Sequence, residues 1–169
     1  DFFLDGVELC EQERYLSKKN CDTWTPLHLA AFHGHDDVVT KIFNYLTEAQ
    51  QLDYLKIVDI RGFTPLHIAL QEENIDAVKS LIQGMSKEVK LDYLKIKCNL
   101  GNTPLHIVFK NGFSEIIPIL LTGLTKTDVE SFLYEPNNSA ESPYQLGEKS
   151  GFFSDVFNEL RQLKFDDAH

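Results

Sequence analysis

The sequence predicts an all-α fold, a solenoid in which similar helical units stack side by side. The tetrapeptide TPLH occurs at residues 25–28, 64–67 and 103–106, at a constant step of 39 residues. The hexapeptide LDYLKI at residues 52–57 returns unchanged at 91–96, again 39 residues later. A fixed period without insertion or deletion is the signature of a repeat architecture, so we expect stacked units and a continuous core between them.

The first helix of each unit is predicted to begin at a threonine-proline pair. Threonine suits the N-cap because its hydroxyl accepts an orphan backbone N–H, and proline suits the next position because it has no N–H to satisfy. The cap residues are Thr25, Thr64 and Thr103, and SPYQ at 142–145 is a fourth, altered copy. Glycine can adopt the left-handed conformation that ends a helix. The glycines in register at that point are Gly34, Gly112 and Gly151.

The second unit lacks this glycine. Glu73 occupies the position, with Asn74 beside it. Because a residue with a side chain is disfavoured in the left-handed region, we expect a looser or shifted turn there.

A second helix is predicted to follow in each unit, because apolar residues recur at helical spacing. The stripes are Val38, Val39, Ile42, Phe43 and Leu46; Ala77, Val78, Leu81, Ile82 and Met85; and Ile116, Ile117, Leu120, Leu121 and Leu124. Asp36 and Asp37 suit the positive N-terminal end of the first of these helices. Counted from Ser114 as the cap, Pro118 lies in the first turn of the third, where it removes little.

These units resemble the ankyrin repeat. The resemblance is carried by DTWTPLHLAAFHGHDDVV, DIRGFTPLHIAL and NLGNTPLHIVF, each with TPLH opening a helix after a hairpin. Ankyrin units are usually about 33 residues long, so these are longer by roughly six. The added length falls in SKEVKLDYLKI and its counterparts, such as TDVESFLYE. Since Val129, Phe132 and Leu133 are at helical spacing there, we interpret the insert as a short third helix.

The period divides the chain into one domain, 1–169, made of five parts. These are an outer helix of a truncated repeat plus insert (1–19), three repeats (20–58, 59–97 and 98–136) and a C-terminal capping repeat (137–169). The truncated repeat is suggested by Phe3, Leu4 and Val7, which align with the second-helix stripe. The cap is suggested by Glu148, which follows Gly147 where earlier units have small or apolar residues, because a carboxylate is costly to bury against a further repeat.

Composition limits the class of protein. The hydrophobic fraction of 43% is normal for a folded domain, and no apolar run is long enough for a membrane span. The formal net charge of −10 disfavours nucleic-acid binding. Three cysteines, odd in number and widely spaced, argue against disulfides and zinc. We therefore expect an intracellular protein, cytoplasmic or nuclear, or in a host cytosol if it is a pathogen effector.

The histidines of WTPLHLAAFHGH raise the question of a metal site. His28 recurs as His67 and His106 at the repeat step, which favours a structural role. In ankyrin repeats this histidine typically hydrogen-bonds neighbouring hairpins together. His33 and His35 do not recur, but no cysteine or carboxylate pattern completes a zinc set. With no phosphate loop or nucleophile elbow either, we expect no metal, no cofactor and no enzyme activity.

The resemblance implies partner binding through a concave surface of hairpin tips and inner helices. Specificity is expected in residues that do not recur. The predicted partner-binding residues are Asp22, Trp24, Phe32, His33, Ile60, Arg61, Phe63, Glu72, Leu100, Asn102 and Lys110. The same register adds Cys21, Gln71, Asn99, Asn111, Asn138, Ser139, Glu141, Lys149 and Ser150. The acidic and basic members nearly cancel in charge.

Large apolar residues at positions expected to face solvent suggest that the partner contributes an apolar or amphipathic segment. We expect Trp24 and Phe63 to anchor it, with Arg61 as a polar clamp. The alternative is that some of these side chains pack against neighbouring hairpins. An adaptor or scaffold function is predicted. The alternatives are an inhibitor that masks a transcription factor, or a targeting module of a larger protein such as an effector of an intracellular pathogen.

Overall fold

The structure is a computed structural model that describes residues 16, 18–20, 23–83, 85–151, 158 and 160. In these residues it contains ten α-helices, one short 3-10 helix and no β-strand. The longest of the helices has 9 residues, and none of them has the length and apolar character needed to cross a bilayer. The all-α class predicted from the sequence is confirmed.

Each of the first three units contributes one helix to each of three parallel rows, and the fourth contributes an inner helix within the described residues. The inner helices are α1 (Pro26–His33), α4 (Pro65–Gln71), α7 (Pro104–Asn111) and α10 (Pro143–Ser150). The outer helices are α2 (Asp36–Asn44), α5 (Ile75–Ile82) and α8 (Ile117–Leu121), the last preceded by the 3-10 helix Ser114–Ile116. The insert helices are α3 (Glu48–Leu55), α6 (Lys87–Leu94) and α9 (Lys126–Leu133).

The rows form because each inner or outer helix packs against the equivalent helix of the next unit. The inner helix α4 contacts α1 on one side and α7 on the other, α7 contacts α10, and α5 packs on α2. The core between the rows is built from equivalent leucines: Leu27, Leu66 and Leu105 are all at most 1% exposed. Burying one such side chain stabilises by about 2 kcal/mol relative to leaving it in water. Because equivalent residues are buried in each of the first three units, the apolar core runs continuously from one unit to the next.

The recurring histidines join each unit to the next, as the family resemblance implied. His28 Nε2 lies 3.1 Å from the Phe63 carbonyl oxygen, and His67 Nε2 lies 3.2 Å from that of Asn102. His106 repeats the contact to Glu141 at 3.1 Å. The expected hairpin-tying role is confirmed for all three histidines.

The insert forms the short helix that we expected in each of the three complete repeats. Its N-caps are hydroxyl residues that stop the chain fraying: Thr47 accepts from Gln50 N, Ser86 from Val89 N and Thr125 from Asp128 N. The insert therefore adds a third row of helices and is not an irregular loop.

The prediction of a looser or shifted turn at Glu73 is wrong. Glu73 adopts φ 57°, close to the 70° of Gly34 and the 73° of Gly112. The closing hydrogen bond Asn74 N→Ala69 O, 2.9 Å, matches His35 N→Ala30 O in the preceding unit. The neighbouring units hold the turn in register, and the glutamate accepts the left-handed conformation.

Pro118 lies in the first turn of a helix, as expected, although the helix begins later than Ser114. Residues 114–116 form the 3-10 turn, and α8 starts at Ile117 with proline next. The proline therefore replaces no internal N–H donor of α8.

Two predictions about the ends fall largely outside the described residues. Phe3, Leu4 and Val7, and so the truncated repeat, lie outside them, as do most residues after 151. In the fourth unit Gly147 is buried and Glu148 is exposed. The capping repeat stays a prediction.

Candidate protein-binding surface

In the second and fourth units, the hairpin before the inner helix is held by a side-chain oxygen that accepts two backbone N–H groups. Asp59 Oδ1 accepts from Arg61 N and Phe63 N, both at 2.8 Å. Asn137 Oδ1 does the same for Ser139 N and Glu141 N, at 2.9 and 3.0 Å. This role was not predicted, although Asn20, Asp59 and Asn137 occupy equivalent positions of the repeat; Cys98 interrupts the series in the third unit.

Two asparagines tie adjacent hairpins together at their tips. Asn99 Nδ2 donates to Ile60 O and Asn138 Nδ2 donates to Asn99 O, both at 2.9 Å. Gly101 has a structural reason to lack a side chain, since a Cβ there would lie 2.6 Å from Asn138 N. Asn99 and Asn138, which we had placed among the specificity positions, therefore hold the array together.

A buried carboxylate organises the hairpin of the second unit. Asp59 Oδ2 accepts from Trp24 Nε1 at 3.1 Å and from Arg61 Nε at 3.0 Å, and Arg61 Nη2 lies 2.9 Å away. Burial by itself raises the pKa of the Asp59 carboxyl. The donors from Phe63, Trp24 and Arg61 outweigh that effect and hold its pKa below the usual value.

Arg61, the expected polar clamp, is already paired inside the chain, and its role toward a partner stays a prediction. Its guanidinium is paired with Asp59 inside the chain and lies over the Phe63 ring, 4.5 Å from the ring centroid, and 6.0 Å from that of Trp24. Its charge is compensated before a partner arrives. Arg61 stiffens the surface and covers two aromatic rings.

A cleft of about 390 Å³ opens between the first and second units above this cluster. The residues lining it are Trp24, Phe32, Asp59, Ile60, Arg61, Ile68, Gln71 and Glu72. The structure thus brings together Trp24, Phe32, Ile60, Arg61 and Glu72 from the predicted binding residues. The hairpin contributes Ile60 and Arg61, and the ends of α1 and α4 contribute Phe32 and Glu72.

The exposed apolar surface of the cleft comes from Phe32 and Ile60. Ile60 is 68% exposed and Phe32 36% exposed. Trp24 and Phe63 are half-buried against the core, so less of each side chain faces solvent than we expected. Trp24 packs against Phe32 with ring centroids 5.2 Å apart, and Phe63 stacks on His67 at 5.6 Å. Packing against neighbouring groups, the alternative interpretation, describes both residues better.

The remaining predicted residues do not line the cleft. His33 is exposed, with its ring 5.0 Å from that of Phe32, and Lys110 is exposed on α7. Leu100 is 66% exposed at the next hairpin tip. Asn102 Oδ1 accepts from Asn137 Nδ2 at 2.8 Å, which gives it a structural partner. Asp22 lies outside the described residues.

Across the described part of the chain, no three His, Cys, Asp or Glu side chains are grouped so that they could hold a metal ion. The buried histidines are engaged by their own threonines and by backbone carbonyls. Both ring nitrogens of each of these histidines are therefore used in hydrogen bonds within the protein.

Rows of stacked helices tied by histidines and hairpin asparagines define a solenoid repeat protein. The family model for ankyrin repeats in three copies matches residues 41–132, and the model for a single ankyrin repeat matches residues 22–46. The chain belongs to the ankyrin-repeat family. Ankyrin repeats are protein–protein interaction modules, and proteins built from them are typically not enzymes. No curated protein matches the chain.

Proposed function

We propose that this chain binds a partner polypeptide through the cleft between its first two units, and that an apolar side chain of the partner enters the cleft. The observation that carries the proposal is the exposure of Ile60 and Phe32 beside a polar floor whose groups are already paired. An apolar side chain of a partner can be buried there without supplying hydrogen bonds to Asp59 or Arg61, because these two groups already bond to each other. Entry of an apolar group is therefore favourable.

Charge refines the class of partner. Asp59 and Arg61 compensate each other, so Glu72 leaves the cleft with a net negative charge. No lysine or arginine among the described residues forms an ion pair with Glu72. A partner with a lysine or arginine next to the apolar anchor therefore complements the cleft, and the segment is amphipathic.

The test compares partner capture from cytosol by the wild-type chain and by a Phe32→Ala, Ile60→Ser variant. Removing these anchors should weaken binding of the captured partner by about 2 kcal/mol, roughly thirtyfold. The protein's single tryptophan, Trp24, lines the cleft, so its fluorescence should change when the purified partner binds.

The matched control is Leu100→Ser, which removes an equally exposed apolar side chain outside the cleft. That variant should bind as wild type does. Equal loss in both variants, or full binding by the Phe32→Ala, Ile60→Ser variant, contradicts the proposed site. Trp24→Ala and Phe63→Ala are unsuitable, because both side chains support the fold.

A further inference from the structure

The gap between insert helices α6 and α9 is bridged by two lysines of α6. Lys87 Nζ lies 3.1 Å from Asp128 Oδ2 on α9. Lys90 Nζ donates to the Thr122 carbonyl oxygen at 3.0 Å. The hydrogen bonds from Thr125, together with Lys87, lower the pKa of Asp128 to about 2, so this carboxylate is charged at neutral pH. Two ammonium groups of α6 therefore tie it to α9 and to the end of α8.

The equivalent gap between α3 and α6 has lost this bridge. One repeat earlier in the sequence, Glu48 stands in the position of Lys87 and Val89 in that of Asp128. Gln51 replaces Lys90, and its amide turns back to donate to Phe43 O and Leu46 O, at 2.8 and 3.2 Å. No lysine or arginine is among the described residues that line this gap.

An open groove of about 660 Å³ lies at this place. All four positions that make the bridge in the next gap line it: Glu48, Gln51, Gln83 and Val89. Its apolar wall includes Phe43, Leu52 and Met85, which are half-buried. The groove shares no residue with the concave cleft.

We propose that this groove is a second docking site, and that its occupant is an amphipathic segment of a partner protein carrying lysine or arginine. Glu48 is the one ionisable residue among those that line the groove, and no lysine or arginine of the described residues ion-pairs with it. In the neighbouring gap the chain itself supplies both charges, the ammonium group of Lys87 and the carboxylate of Asp128. Here Glu48 stands in the position of the lysine and Val89 in that of the carboxylate, so a cation that pairs with Glu48 beside the apolar wall has to come from the partner.

The test uses the full chain with the concave cleft disabled by Phe32→Ala and Ile60→Ser, so that the two proposals fail separately. The probe is a fluorescein-labelled synthetic peptide with leucines at helical spacing and lysines elsewhere, and its anisotropy reports binding. A twin peptide has glutamate in place of lysine. The lysine peptide should bind at least tenfold more tightly than its twin.

The decisive variant, Glu48→Lys with Val89→Asp, transplants the Lys87–Asp128 pair into the open gap. It should weaken binding of the lysine peptide at least tenfold while the Tm stays the same or rises. Glu115→Gln, on the exposed 3-10 turn, changes the net charge by the same amount and should leave the affinity unaltered. Glu48→Gln, a milder change at an exposed position, should also weaken binding. Unchanged affinity in both Glu48 variants, or equal affinity for the two peptides, overturns the proposal.

Discussion

At the scale of single residues, the recurring histidines show how one side chain serves two units. Thr64 N donates to His67 Nδ1 at 3.3 Å, so the ring hydrogen must reside on Nε2, which donates to Asn102 O. The neutral ring is the form that fits both contacts. Burial lowers the pKa of His67 to about 4, and burial also lowers the pKa of His28 and His106.

Acid should therefore weaken the fold before the carboxylates titrate. The unfolded chain takes up a proton at an ordinary histidine pKa of about 6.5, whereas folded His67 resists until about pH 4. The contribution of His67 to stability is present above its unfolded pKa of about 6.5 and is lost as the pH falls toward 4. Between pH 7 and 5, His67 alone should lower the free energy of unfolding by about 2 kcal/mol.

Urea denaturation followed by Trp24 fluorescence measures this change. His67→Gln keeps a donor to Asn102 O but cannot titrate, so its free energy of unfolding should fall less between pH 7 and 5. The same fall in wild type and variant would show that His67 is not the group responsible.

At the scale of elements, the inner helices end in the left-handed conformation, which glycine favours locally and which packing imposes where glycine is absent. Gly34 and Gly112 end their helices in the left-handed region without cost, whereas Glu73 does so with a side chain. A non-glycine residue pays about 1 kcal/mol for that conformation. The packing of α4 between α1 and α7 keeps the turn in place.

Glu73→Gly should relieve this strain and raise the free energy of unfolding by about 0.5–1 kcal/mol. Glu72→Gly is the control, because Glu72 has φ −90° and gains nothing from glycine. It should lower stability slightly. Urea midpoints of the two variants give the comparison, and a Glu73→Gly midpoint at or below that of wild type refutes the strain.

At the scale of the whole molecule, stability comes from contacts between nearest units. Asn74 in the second unit donates from Nδ2 to Ala31 O and Phe32 O at the end of α1, both at 2.9 Å. These bonds satisfy carbonyls that the helix end leaves without partners. They also place Phe32 at the edge of the proposed cleft.

Asn74→Ala should therefore cost about 1–2 kcal/mol in the free energy of unfolding, and weaken partner binding at the cleft by loosening Phe32. His35 occupies the equivalent position in the preceding unit and is exposed, so His35→Ala is the matched control and should change stability by less than about 0.5 kcal/mol. Thermal unfolding and partner titration of both variants test the coupling between neighbouring units.

The sequence by itself determined the repeat period, the caps, the insert helices and the ankyrin family, because each depends on residues close together in the chain or on recurrence at 39 residues. It also named six of the eight residues that line the cleft. What it did not determine is how each side chain is used: Trp24 and Phe63 are partly covered, Arg61 is paired with Asp59, and Asn102 is held by Asn137.

Only the tertiary structure decided these points, since every one involves groups about one repeat apart in sequence or a pairing that recurrence does not reveal. The open groove between α3 and α6 is the clearest case. The sequence shows that Glu48 occupies the repeat position that Lys87 has in the next unit. That this difference leaves an open groove is visible only when the helices lie side by side. Local chemistry fixes the units, and the packing of one unit on the next fixes which surfaces remain for a partner.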